Sequence, residues 1–212
     1  MAKSGLTRVS CGAESGDQTV LDLLKKDADV EDTINFVRKC KQFGVQAEPS
    51  FMVGLPETYE QDFAKTVDLI DWIFKEDPNS LCILYYYTPY PKSELQEYVK
   101  TFGFHEPDSL EGWGNYMLRE PHGPWLPDEY IERVKMVMMQ IIPFVHFRDI
   151  RLAYKDSWRR RITFEILYRI SKFRWDHRFW GLRWEYRLRS WYLSRKSQQR
   201  QNRPEEALGP CS

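Results

Sequence analysis

Apolar and polar positions recur in a regular order through the N-terminal half of the chain. Leu6–Cys11 is a short apolar-rich run that stops at a glycine- and acid-bearing turn, Gly12–Gly16, while Gly5 closes a helical turn just before it. Gln18–Lys26 then sets Val20, Leu21, Leu23 and Leu24 on a helical face. Asp29 opens a second helix, in which Val30, Ile34, Val37 and Cys40 follow the helical period. Gly44 ends that helix, and Val45–Val53 reads as a second strand. Thr58 and Gln61 have the spacing of a capping box for a helix reaching Lys75, with Phe63, Val67, Ile70 and Phe74 as its buried stripe. After the turn Asp77–Asn79, Ser80–Tyr87 is almost wholly apolar or aromatic, the composition of a strand covered on both faces. Strands alternating with helices in this order predict a parallel sheet with right-handed crossovers.

Beyond Tyr87 the pattern changes. Thr88–Pro91 breaks the strand and a short helix, Glu94–Phe102, follows. Residues 103–127 hold Gly, Pro, Trp and His with little periodicity and read as a flap or linker, ordered by Trp113, Tyr116 and Trp125. A helix runs from Pro127–Asp128 to about Ile142, where Pro143 kinks or ends it. Phe144–Tyr192 is helical in pattern and dense in arginine and aromatics, and 197–212 reads as a disordered polar tail. The expected organisation is an α/β unit over 1–102, a flap or linker over 103–127, a helical Arg/aromatic-rich extension over 128–196, and a disordered tail over 197–212.

Formal net charge is zero, but its distribution is uneven. Residues 1–147 hold 14 Lys and Arg against 24 Asp and Glu, a balance of −10, whereas residues 148–203 hold 17 against 5, a balance of +12. A basic aromatic tail on an acidic body admits three readings. Its helices pack on the α/β unit or on a missing half of it, they lie on an anionic membrane surface, or they bind nucleic acid, for which no accompanying motif is present. The chain contains no apolar run of about 18 residues, the length that spans a bilayer. Cys11, Cys40, Cys82 and Cys211 form no CxxC or CxxxCxxC, and three of them fall in apolar patterns, which points to buried thiols in a reducing compartment. His105, His122, His146 and His177 have no metal-ligand spacing. No metal site is expected from these residues.

The segment Cys11–Leu24, CGAESGDQTVLDLL, followed by VEDTINFVRKCKQFGVQAEPSFMVGLPETYEQDF, resembles the radical SAM superfamily, most closely the branch in which a cobalamin-binding domain precedes the barrel. The likeness covers roughly residues 1–100. It implies the C-terminal half of a (β/α)6 partial barrel, with three parallel strands, followed by an α-helical extension. Gly12, Glu14, Ser15 and Gly16 match the strand-four turn, which the resemblance sets beside the ribose of S-adenosyl-L-methionine (SAM) and the substrate. Ser50, Met52, Gly54 and Glu57 align with the strand-five motif near the adenine; Ser50 replaces a glycine, Met52 an isoleucine, and Glu57 follows Pro56 without an intervening glycine. Tyr85–Tyr87 lies where strand six faces the adenine. The cofactor-binding set implied is thus Gly12, Glu14, Ser15, Gly54, Glu57 and Tyr87, with no catalytic residue assigned.

On the residues alone, Glu14, Ser15 and Glu57 read equally as helix-terminus acids and caps, Gly54 and Pro56 as turn geometry, and the tyrosines as core. The superfamily's CxxxCxxC, which holds its iron–sulfur cluster, is not in this sequence, so the chain alone is expected to be inactive. The function expected is the SAM- and substrate-facing part of a radical SAM enzyme, carrying out radical methyl transfer or hydrogen abstraction once a cluster-binding half is supplied. Iron–sulfur cluster and cobalamin would come with that half, as a missing N-terminal part or a complementary subunit. The alternative is a non-catalytic remnant whose basic helices dock a partner protein or an anionic membrane. The expected location is cytoplasmic or peripheral to a membrane.

Overall fold

The computed structural model describes residues 4–114 and 123–201. Three strands, β1 (Arg8–Glu14), β2 (Gln46–Val53) and β3 (Ile83–Tyr86), form a sheet in the order β1-β2-β3. Both pairs are parallel. β1 meets β2 from Arg8–Gln46 to Gly12–Ser50 with a register shift between Gly12 and Glu14, and β2 meets β3 from Ser50–Ile83 to Val53–Tyr86. Helices α1 (Gln18–Leu23) and α2 (Val30–Gln42) cross from β1 to β2, and α3 (Tyr59–Glu76) crosses from β2 to β3. The α/β class and the parallel order follow the sequence reading.

The sheet is covered on one face only. Along β2, Ala47, Pro49, Phe51 and Val53 are buried while Gln46, Glu48, Ser50 and Met52 are half-exposed. Leu84 and Tyr86 of β3 are buried and Ile83 and Tyr85 are not, which corrects the expectation of a strand covered on both faces. The inward residues pack on Val37 of α2 and on Phe63, Val67, Ile70 and Phe74 of α3 in one core. The apolar run is therefore a strand with one buried face and Ile83 and Tyr85 on the other, since an aromatic tolerates a half-wet surface.

Local signals act at the helix ends, with one exception. Asp17 accepts from the Thr19 amide (3.1 Å) to start α1, and Asp32 accepts from the Asp29 amide (2.9 Å) at the start of α2. The expected capping box on α3 does not form. Thr58 makes no side-chain cap, and Gln61 instead donates to Asp17 (3.0 Å).

α4 (Glu94–Lys100) and α5 (Leu110–Gly114) follow β3, and Tyr116 and His122 of the expected flap lie outside the described residues. α6 (Asp128–Met136) does not end at Pro143. A π-helical turn, Val137–Ile141, leads directly into α7 (Ile142–His146) with Pro143 in its first turn. Proline has no amide to give the carbonyl four residues back, and its ring crowds that carbonyl. A π turn opens the ladder there, and Arg189 Nη1 donates to the carbonyl of Met139 (3.2 Å).

The C-terminal segment forms α8 (Arg148–Ala153), α9 (Trp158–His177) and α10 (Trp184–Gln201), so helix enters the segment read as a disordered tail. Its charge is answered inside the chain. Arg178 reaches Asp68 and Asp71 of α3, and Arg183 and Arg187 reach Glu132 of α6. Arg174 and Glu185, both buried, pair at 2.6 Å and tie α9 to α10. The acidic body is thus one partner of the basic tail, the first of the three readings of that tail.

Candidate functional site

The uncovered face of the sheet is polar. Position by position it presents Arg8, Ser10 and Gly12 from β1 beside Gln46, Glu48 and Ser50 from β2. Arg8 donates to Gln46 (2.8 Å) and pairs with Glu48 (3.0 Å), and Ser10 donates to Glu48 (3.0 Å). Met52 and Tyr85 continue this face toward the C-terminal ends of the strands. Sequence reasoning missed Arg8, Gln46 and Glu48. The available signal was the alternation of Gln46, Glu48 and Ser50 with buried neighbours.

At the end of β1, Glu14 has φ +61°, in the left-handed region, and at the end of β2 Glu57 has φ +62°. Non-glycine residues held there are conformationally costly and concentrate at functional sites. The Glu14 carboxylate folds back over Gly12. A Cβ on Gly12 would lie 2.2 Å from Glu14 Oε1, so glycine leaves that space to the carboxylate. Lys26 pairs with Glu14 at 3.0 Å and was missed, because it lies in the loop after α1 rather than in either turn.

Ser15 points the other way. It is fully buried, donates a short hydrogen bond to Asp62 Oδ1 and accepts from the Asp17 amide (2.8 Å). Thr66 also donates to Asp62 (3.2 Å) and accepts from the Gly16 amide (2.9 Å). Burial pushes the Asp62 carboxyl up to about 7, against the lowering effect of the Ser15 and Thr66 hydrogen bonds. Burial also works to raise Asp17, but hydrogen bonds from Lys65, the Thr19 amide and Gln61 outweigh it and hold that carboxyl low. The Glu-Ser-Gly-Asp turn is therefore docked on α3. Gly16 is the contact point, since a Cβ there would sit 2.6 Å from the Lys65 carbonyl oxygen and 2.7 Å from Thr66 Cα. Gly16→Ala forces backbone apart and is expected to destabilise the protein by about 1–3 kcal/mol in urea unfolding. A loss within error would mean that the turn does not rest on α3.

Of the remaining candidates, Gly54 and Tyr87 are buried and Glu57 is exposed. Trp125 Nε1 donates to the Gly54 carbonyl (2.9 Å), and Leu126 lies against Gly54. Tyr98 of α4 donates to Glu57 (3.0 Å), and Lys25 pairs with Glu94 of the same helix. Tyr87 follows the last residue of β3 and joins a second apolar cluster with Val20, Leu55, Val99 and Phe104. Its hydroxyl is buried without a hydrogen-bond partner, and burial pushes it up to about 12. The structure thus brings Gly12 and Glu14 together on the open face, turns Ser15 into the core, sets the 123–126 segment over Gly54, packs Tyr87 with Val99 of α4, and leaves Glu57 exposed. Of the histidines, His105 is exposed and His146 is stacked on Phe74 at 3.8 Å.

Three free thiols, Cys11, Cys40 and Cys82, lie in or against the sheet and core. Burial raises all three, Cys11 to about 11. Among the described residues no group of three or more His, Cys, Asp or Glu is placed to hold a metal ion. None of the described helices is long and apolar enough to cross a membrane.

Residues 1–70, which carry both strand-end turns, match the model of the Radical SAM superfamily. The chain is 30% identical over 114 residues to the anaerobic magnesium-protoporphyrin IX monomethyl ester cyclase of Rubrivivax gelatinosus, covering 48% of this chain and 18% of that protein. It is also 30% identical over 105 residues to an uncharacterized methyltransferase of Pyrococcus horikoshii, covering 47% of this chain and 21% of that protein. The chain spans about a fifth of the length of these curated relatives. The match to the radical SAM superfamily thus lies in the N-terminal third of the chain, residues 1–70.

Proposed function

We propose that these residues form the SAM- and substrate-facing half of a radical SAM enzyme, the last three strands of a (β/α)6 partial barrel whose other strands lie on polypeptide outside this sequence. The observation that carries the reading is the polar, uncovered face of a parallel sheet with Glu14 folded over Gly12 at its C-terminal end. A sheet with helices on one face and charged, hydrogen-bonded side chains on the other is what the wall of such a barrel would present to its interior.

The residues fit SAM. Glu14, on the open face, would accept from ribose hydroxyls, and Met52 and Tyr85 would flank the base. The Tyr87 hydroxyl, orphaned in the covered cluster, has a donor to offer once α4 moves. The residues do not fit an iron–sulfur cluster, because among the described residues no three Cys, His, Asp or Glu are placed together as ligands. Cluster and cobalamin are left to sequence outside these residues, and with them the electron that radical methyl transfer or hydrogen abstraction needs.

A second reading, a scaffold without catalysis, draws on the Gly54 carbonyl and the Glu57 carboxylate being already engaged by Trp125 and Tyr98. Calorimetric titration with SAM separates the two, using the chain alone and the chain co-expressed with a CxxxCxxC-bearing upstream polypeptide. Binding in the co-expressed form, weakened about tenfold by Glu14→Gln as expected for a lost charge-assisted hydrogen bond, supports the enzyme reading. No binding in either form, or an unaffected variant, leaves the scaffold. Iron and sulfide added to the chain alone are expected to give no brown chromophore, and its appearance would overturn the placement of the cluster elsewhere.

A further inference from the structure

Helix α9 has two apolar faces. The inner one carries Phe164 and Trp175 into the body. The opposite one carries Trp158, Ile162, Ile166 and Phe173, with 68, 51, 53 and 54% of their surface exposed. Their positions fall on one line along the helix. A surface helix ordinarily shows a single apolar stripe; the second stripe here has no cover within the described residues. α10 repeats the arrangement with Trp184, Leu188 and Trp191, which are 63, 58 and 51% exposed.

Two observations identify the cover. The first is charge. The described carboxylates of α9 and α10 are all paired, Glu165 with Arg169, Asp176 with Lys172 and Glu185 with Arg174. Arg159 and Arg195 have no carboxylate partner among the described residues, so the outer surface keeps a positive excess. The second is the company these cations keep. The Arg159 guanidinium lies over Trp158 at 5.5 Å and that of Arg195 over Trp191 at 4.3 Å. An indole beside a cation, on a stripe of aliphatic residues, suits the boundary between lipid headgroups and acyl chains. Position adds to this. α9 is bound to α3 through Trp175–Asp71 and Arg178–Asp68, on the helix-covered side of the sheet. Strands added at the open edge of β1 would leave its outer face bare.

We infer that the outer face of α9, continued by α10, docks on an anionic phospholipid surface. Trp158 and Phe173 enter the interface, and Arg159 and Arg195 meet lipid phosphates. The inference does not depend on SAM binding. Co-sedimentation of the full chain with phosphatidylglycerol-containing phosphatidylcholine vesicles, against pure phosphatidylcholine, tests it. The expected result is binding to the anionic vesicles that is about tenfold weaker on pure phosphatidylcholine and falls with added salt. Ile162→Ser with Ile166→Ser, both at exposed positions, should lower binding about tenfold with an unchanged melting temperature, and Arg159→Glu with Arg195→Glu should remove the preference for anionic lipid. Failure of the parent to sediment, equal partition of parent and variants, or a doubling of mass in light scattering that the Ile162/Ile166 variant abolishes would overturn it. The last outcome would assign the stripe to a second copy of the chain.

Discussion

Trp175→Ala is expected to destabilise the protein by about 3–5 kcal/mol, the range for removing a large aromatic from a packed interior. Trp175 is 1% exposed and is the largest of the fully buried side chains. Its indole donates to Asp71 of α3 (2.7 Å), meets His146 edge-on at 4.9 Å, and lies under the Arg178 guanidinium at 5.1 Å. One ring thus joins α9 to α3 and α7, and alanine would leave a cavity among all three. The Asp71 charge would stay paired, since Lys75 (2.8 Å) and Arg178 (3.0 Å) both donate to its Oδ2, while Oδ1 would lose the indole donor. The loss should therefore come from packing rather than from an orphaned charge. For a chain of this size it lowers the melting temperature by on the order of 10 °C. Trp184→Ala is the control. Trp184 is 63% exposed, and its removal should stay within about 0.5 kcal/mol of the parent. Urea unfolding of the two variants decides the matter. Equal, small losses would mean that the C-terminal third is not fastened to the α/β body.

The elements whose information is local were legible. Strand alternation in Val45–Val53 and the helical period of Val30–Cys40 were both visible in the sequence, and the parallel order followed from the succession of strands and helices. Long-range pairing was not. Ser15 sits in a turn that reads as a cap or a ligand, and only the approach of α3 turns it toward Asp62. Asp62 itself looks like an outward polar position beside the stripe Phe63–Phe74. The imbalance of charge between the two parts of the chain left three anionic surfaces open to the basic helices; Asp68, Asp71 and Glu132 supply much of one of them from within. Pro143 reads as a helix end because the sequence does not show that Arg189 would take the carbonyl it frees. α9 gives no clean periodicity because apolar residues occupy two opposite faces, so the pattern identifies a helix without saying which side is packed.

Two buried titrating groups should make stability respond to pH with opposite signs, and separating them is the larger test of the core. Burial holds His146 neutral, down from 6.5 to about 4, with smaller effects from Asp71, Lys172, Asp176 and Arg178, while burial holds Asp62 protonated, up from 3.8 to about 7. Between pH 4 and 6.5 the unfolded chain binds a proton at His146 that the folded one does not, so this group adds stability as pH rises. Between pH 3.8 and 7 the folded chain keeps a proton on Asp62 that the unfolded one has lost, so this group removes stability as pH rises. At about 1.4 kcal/mol per unit the two contributions are on the order of 3 and 4 kcal/mol, and through their shared window they nearly cancel. The parent should therefore show little slope from this pair. Asp62→Asn keeps the Ser15 and Thr66 contacts and removes the acid, so its stability should rise by about 3 kcal/mol from pH 4 to 6.5 relative to the parent. His146→Phe keeps a ring stacked on Phe74 and removes the base, so its stability should fall by about 3 kcal/mol from pH 4 to 6.5 relative to the parent. Urea midpoints measured across that range for parent and both variants read the slopes directly. Parallel profiles for all three proteins would show that neither group is as deeply desolvated as the packing of α3 against the Glu14–Asp17 turn and against α7 requires.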